Sequence, residues 1–244
     1  MAYYEDVSSI INGAAVECGL EPAVDVLASS NVAFTQLRYL LDAAGQELIR
    51  MADWQELVSL YELTTSALDT GEYALPSDFD HMINQTGWDF TNQNPLSGPA
   101  SPQMWQYLKA RDYISGSMFV IFRLKKQKFN ILPDNPVPGG IDIKFEYIRN
   151  TWCSNSAGNQ FFTKVQQTSD LVLYPPILIK KLLKVKFLEA KGFDSEKARD
   201  DFALMFDATT GQDKGAPVLN AGVLRGYPYL DGYRNVPYTG YGGV

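Results

Sequence analysis

The sequence predicts an α+β protein: an antiparallel four-helix bundle, an inserted mostly-β module and an extended C-terminal arm. Three observations carry this. Apolar residues recur at helical spacing near both ends of residues 1–212. Between them, around residues 55–164, the pattern changes to short alternating runs broken by Gly and Pro. From Gly215 onward no helical or long strand pattern survives. The expected division is 1–54 with 165–212 as the bundle, 55–164 as the β insertion and 213–244 as the arm.

The first helix is expected over Tyr4 to Cys18, with Val7, Ile10, Ile11 and Ala14 on one stripe and Gly19 as its left-handed terminator. A second fits Asn31 to Met51, with Asn31 as N-cap and Leu37, Leu41, Ala44 and Leu48 inward. In the β region, Leu57–Thr65, Tyr73–Leu75, Met118–Leu124, Lys128–Leu132 and Ile141–Ile148 read as strands. Asp78 to Ile83 reads as a helical turn, and Ser101 as the cap of a short helix to Ala110. A third bundle helix starts at Pro176 and ends at Gly192, with Ile177, Leu178, Leu182, Val185 and Leu188 as its apolar stripe. A fourth starts near Asp194 or Ser195 and ends before Gly211. Because two helical pairs bracket the β region, economy suggests that they close on each other.

Composition bounds the function. The chain has 244 residues, is 45% hydrophobic and 20% charged, and carries a formal charge of −7. That charge disfavours wrapping nucleic acid, which needs a Lys/Arg surplus. It suits a surface past which DNA slides. The two cysteines, Cys18 and Cys153, lie far apart and predict neither a disulfide framework nor a zinc site, so a reducing compartment is expected. The N-terminus lacks the basic and apolar regions of a signal peptide, and no apolar run suffices to span a bilayer.

Chemistry-bearing patterns are sparse. The single histidine, His81, stands beside Asp78 and Asp80 in SDFDH, a conceivable acid/base or metal cluster for a small hydrolase. The plainer reading is a short surface helix capped by Ser77. No P-loop, GxGxxG or paired-metal spacing is present, so neither cofactor nor catalytic residue is expected. RLKKQK at Arg123 to Lys128 reads as a solubilising turn between strands. Lys180, Lys181, Lys184, Lys186 and Lys191 read as a solvated helix face.

The arm differs from a solubilising tail. It holds seven glycines, three prolines and five tyrosines: Tyr227, Tyr229, Tyr233, Tyr238 and Tyr241. From Gly215 on, its only charges are Arg225, Asp231 and Arg234. Tyrosine contributes large contact area and a hydroxyl at low rotamer cost, as protein interfaces use it. Burying five tyrosines gains on the order of 25 kcal/mol gross, against roughly 30–60 kcal/mol to order thirty backbones. The arm is therefore expected to order only on a partner, with these tyrosines, Arg225 and Arg234 as its contact residues.

Several stretches carry a family resemblance: CGLEP (Cys18–Pro22), IRMADWQEL (Ile49–Leu57), YALPSDFDHMI (Tyr73–Ile83), GWDFTNQNPLSG (Gly87–Gly98), PQMW (Pro102–Trp105) and YIRNTW (Tyr147–Trp152). Together with the order of parts, they make residues 5–212 resemble the head-to-tail adaptors (connectors) of short-tailed bacteriophages, of the tail-tubular-protein-A type. The resemblance implies a structural virion protein at the portal vertex, assembled in the host cytoplasm. It implies a dodecameric ring joining the portal to a tail hub or nozzle, with the arm engaging the portal. Genomic DNA would pass through the lumen during ejection without sequence-specific binding, and no membrane is involved. A stopper or tail-hub subunit is the neighbouring alternative, and the hydrolase using Asp78, Asp80 and His81 is the distant one.

Overall fold

A computed structural model describes residues 4–111, 120–134 and 136–213. Among these the chain forms five α-helices and three antiparallel sheets.

Helix α1 (Val7–Glu17) is capped by Asp6, whose carboxylate accepts from Ser9 N–H, and ends at Gly19 with φ 77°. Helix α2 (Val32–Met51) starts at Asn31, which accepts from Ala33 N–H. Its end is closed by Trp54, a buried ring whose Nε1 donates to Leu48 O at 2.6 Å. These local signals satisfy helix-terminal groups that no intrahelical partner reaches.

A 3₁₀ turn at Gln55–Leu57 leads into β1 (Val58–Thr64), followed by β2 (Glu72–Ala74), β3 (Phe79–Met82), β4 (Trp88–Asp89) and β5 (Asn94–Pro95). After α3 (Pro102–Ala110), capped by Ser101, come β6 (Ile121–Lys125), β7 (Lys128–Leu132) and β8 (Asp142–Arg149). Strand β8 organises the largest sheet. It pairs with β1 along one edge and with β3 and β4 along the other, and β5 follows β4. A second sheet has the order β2-β7-β6. Its β6–β7 hairpin turns through Lys126 and Gln127, both at positive φ (53° and 56°), as a two-residue primed turn requires. The two sheets share a core in which Phe145 of β8 lies 5.1 Å from Phe129 of β7 and 4.7 Å from Tyr61 of β1, centroid to centroid.

A third sheet, β10-β9-β11, is built from β9 (Cys153–Ser154), β10 (Phe161–Phe162) and β11 (Leu171–Val172). Helix α4 (Pro176–Lys191) follows and ends at Gly192, φ 74°. Helix α5 (Glu196–Asp213) is the last described element.

The expected four-helix bundle with an inserted module is not the architecture. Helix α4 packs against α1, α2 and α5, but α5 buries only Ala198 fully and touches the core through half-buried Phe202, Met205 and Phe206. The place of a fourth helix is taken by the segment around the third sheet. Trp152, Cys153, Val172 and Tyr174 are all fully buried and belong to the same core as α1, α2 and α4. Four large inward groups on a non-helical stretch complete that core, which economy of helices could not anticipate.

Two further differences concern single elements. Asp78–Ile83 is not a helical turn: residues 79–82 are strand β3, with a register shift between Phe79 and His81 on β8. Helix α5 runs through Gly211 to Asp213. No described helix is long and apolar enough to cross a membrane.

Candidate functional site

The SDFDH motif splits. His81 lies between two carboxylates: Nδ1 is 2.7 Å from Asp80 Oδ2 and Nε2 is 3.0 Å from Asp53 Oδ1. Asp53 follows α2, so the pair links that helix's end to β3. Asp78 instead accepts from the Tyr147 hydroxyl at 3.0 Å. The three residues of the hydrolase reading are thus divided between two hydrogen-bonding groups. Burial lowers the His81 pKa, but the bonds to Asp80 and Asp53 outweigh it and leave a net rise. Such an imidazole, with both nitrogens engaged by acids, suits a charged link more than a proton shuttle. Asp53 carried no signal in the sequence beyond its position after a helix. Among the described residues no group of acids, His and Cys is arranged to hold a metal ion.

The lysines of α4 are not merely a solvated face. Lys180 reaches Glu5 at 2.5 Å, Lys184 reaches Glu17 of α1 at 3.2 Å, and Lys186 pairs with Glu47 of α2. The Lys180 hydrogen bond holds the Glu5 carboxyl below its usual pKa, against a smaller opposing effect of burial. Three positive charges are therefore engaged by acids of the amino-terminal segment and its two helices. At the other basic stretch, Lys125, Lys126 and Gln127 border a cleft of about 320 Å³ shared with Asp80 and His81.

A polar cleft of about 720 Å³ lies beside β10. Ser77 and Asp78 lie along it with Asn150 and Thr151, and Phe161 to Lys164 with Gln166 complete it. The segment after β10 is pinned to α2. Thr163 O accepts from Gln46 Nε2 at 3.0 Å and from Trp152 Nε1 at 2.8 Å, and Asp42 Oδ1 accepts from Val165 N–H at 3.1 Å. Farther along, buried Asp170 accepts from the Gln166 and Gln167 N–H groups, both at 2.8 Å. Arg149, on β8, stacks over Phe161 with its guanidinium 3.9 Å from the ring centroid, and its Nη2 donates to Glu56 O at 3.0 Å. This cleft was missed in the sequence because its two sides come from segments some seventy residues or more apart.

The expected arm contacts, Arg225, Tyr227, Tyr229, Tyr233, Arg234, Tyr238 and Tyr241, lie outside the described residues. The segment before them is anchored: Asp213, at the end of α5, accepts through Oδ2 from Gln55 N–H at 3.0 Å. No family model matches the chain, and no curated protein matches it.

Proposed function

We propose that the chain is a ring-forming structural subunit of a virion, a head-to-tail adaptor that joins the portal to a tail hub or nozzle. In this reading copies of the chain form the wall of a channel, and genomic DNA passes through the lumen without sequence-specific binding. The arm from Gly215 engages the portal through its tyrosines with Arg225 and Arg234.

The observation that supports it most is where the resemblance motifs fall. CGLEP contains the left-handed end of α1 at Gly19. IRMADWQEL contains Trp54, which closes α2. GWDFTNQNPLSG contains buried Asp89, whose carboxylate accepts from Thr91 N–H, Asn92 N–H and Asn92 Nδ2 to shape the β4–β5 connection. YIRNTW contains Trp152, seated against α2. These residues are joints of the framework, as a resemblance in architecture requires. The net charge of −7 and the engagement of three α4 lysines by acids also favour a surface that DNA slides past.

The test is to mix the purified full chain with portal rings from the same virus and measure stoichiometry by native mass spectrometry and electron microscopy. A closed ring of copies on each portal is expected, and deletion of residues 215–244 should abolish stable attachment. A chain that ignores portal rings would overturn the adaptor reading, and a truncated chain that still attaches would overturn the role of the arm.

A further inference from the structure

The polar cleft contains unmet hydrogen-bonding capacity. Two lining residues, Asn150 and Thr151, carry enclosed side-chain atoms, Oδ1 and Oγ1, with no partner among the described residues, and Thr151 is only 7% exposed. Such groups are normally satisfied, because an unpaired buried polar atom is costly. The two are consecutive in sequence and differ in kind: an acceptor and a hydroxyl that both donates and accepts. Asp78 and Lys164 bring opposite charges to the same space, which disfavours a simple anion or cation. A polypeptide main chain, with its alternating N–H and C=O groups, meets such a mixed set.

Two features add to this. Among the described residues, strand β10, which borders the cleft, is the edge strand of its sheet and pairs with β9 alone. An edge strand is a template for an added strand. Phe161 is 41% exposed and offers an aromatic face already stacked with Arg149.

One candidate occupant starts close by. Asp213 is fixed to Gln55 N–H, and the next residue, Glu56, holds Arg149 through its carbonyl. Helix α5 therefore ends near Arg149, whose guanidinium stacks on the cleft residue Phe161. A thirty-residue segment spans up to about 100 Å when extended, which is ample length for a seat on the same subunit. Residues 215–244 are rich in glycine, which lets main chains approach closely, and in tyrosine, which stacks on Phe161 and brings a hydroxyl. Their few charges suit a cleft of mixed sign.

We infer that the cleft is a seat for the arm of the same chain: a stretch within residues 215–244 adds to β10, lays a tyrosine on Phe161 and satisfies Asn150 and Thr151. This rests on the proposed reading of the arm as a protein-binding segment, and it makes the seat a competitor of the portal for that segment.

The experiment places a benzoylphenylalanine photo-cross-linker at position 164 of the full chain, with light and heavy isotope copies mixed. Irradiation should link position 164 to peptides from 215–244, within chains of one isotope. Thr151→Val should lower the yield roughly fivefold, the effect of one hydrogen bond, while Thr151→Ser retains it. Added portal rings should suppress the link. Cross-links confined to residues before 214, mixed-isotope links, or equal yield in Thr151→Val and Phe161→Ala would each overturn the seat. If the link is absent while deletion of the arm still abolishes portal attachment, the seat fails and the arm reading stands. If the link forms while the deleted chain still binds portals, the arm's portal role fails and the seat stands.

Discussion

His81 Nε2 lies 3.0 Å from Asp53 Oδ1, joining β3 to the residue two beyond the end of α2. The same imidazole reaches Asp80 through Nδ1 at 2.7 Å. Desolvation opposes the protonated ring, but the two carboxylates raise its folded pKa above the ordinary value near 6.5. A raised folded pKa contributes stability that is fully present below the unfolded value and is lost as pH rises through the folded one.

His81→Gln should therefore lower the melting temperature more at about pH 5.5 than at about pH 8.5. The side chain is 39% exposed, so solvent screening keeps the difference below about 1 kcal/mol. Paired thermal scans of both proteins at the two pH values decide it, and an equal loss at both would sink the linkage.

Gly45 sits in the interior of α2, where alanine ordinarily gains about 1 kcal/mol in helix propensity. Here a Cβ would stand 2.3 Å from the Trp152 ring, and the Gly45 carbonyl accepts the Tyr174 hydroxyl at 2.9 Å. Gly45→Ala should reverse the usual sign and destabilise by about 1–3 kcal/mol. Urea unfolding measures this. Pairing it with Trp152→Phe should give a loss smaller than the sum of the single losses, since the smaller ring relieves the clash; strict additivity would refute the contact.

Asp170 is 2% exposed and accepts two main-chain N–H groups from Gln166 and Gln167. Its own carbonyl accepts from Val7 N–H at 2.9 Å. Asp170→Ala should cost about 2–3 kcal/mol by leaving donors unpaired. It should also speed tryptic cleavage after Lys164, in the loop that Asp170 closes. Unchanged stability with an unchanged cleavage rate would show that the loop does not depend on this carboxylate.

What the sequence made legible is what short-range chemistry decides. Asn31, Ser101, Gly19 and Gly192 act at helix ends within a turn of where they stand. Lys128–Leu132 is a strand within the expected bounds, although Phe129 to Leu132 are all buried and do not alternate. The failures are non-local. Asp78–Ile83 has the composition of a capped turn, yet the free edge of β8 recruits it as a strand. The stripe expected on α4 included Ile177, which is exposed, and omitted Ile179, Leu183 and Phe187, which are buried. A central helix packed on several sides hides more than one stripe. For the candidate sites, His81 and Asp80 were visible as neighbours, whereas Asp53 and the Asn150–Thr151 side of the cleft are brought in by pairing and packing.

The attachment of α5 has a mechanical consequence. Tension applied beyond Asp213 meets, in order, a single Asp213–Gln55 hydrogen bond, the half-buried faces of Phe206 and Met205, and the surface pair Arg199–Glu189. Behind them lies the three-helix core with Trp54, Trp152 and Tyr174 fixed inside it. A pull on the carboxy-terminal side therefore peels α5 before it loads the core, so the last helix serves as a compliant tether that yields while the rest of the subunit keeps its shape.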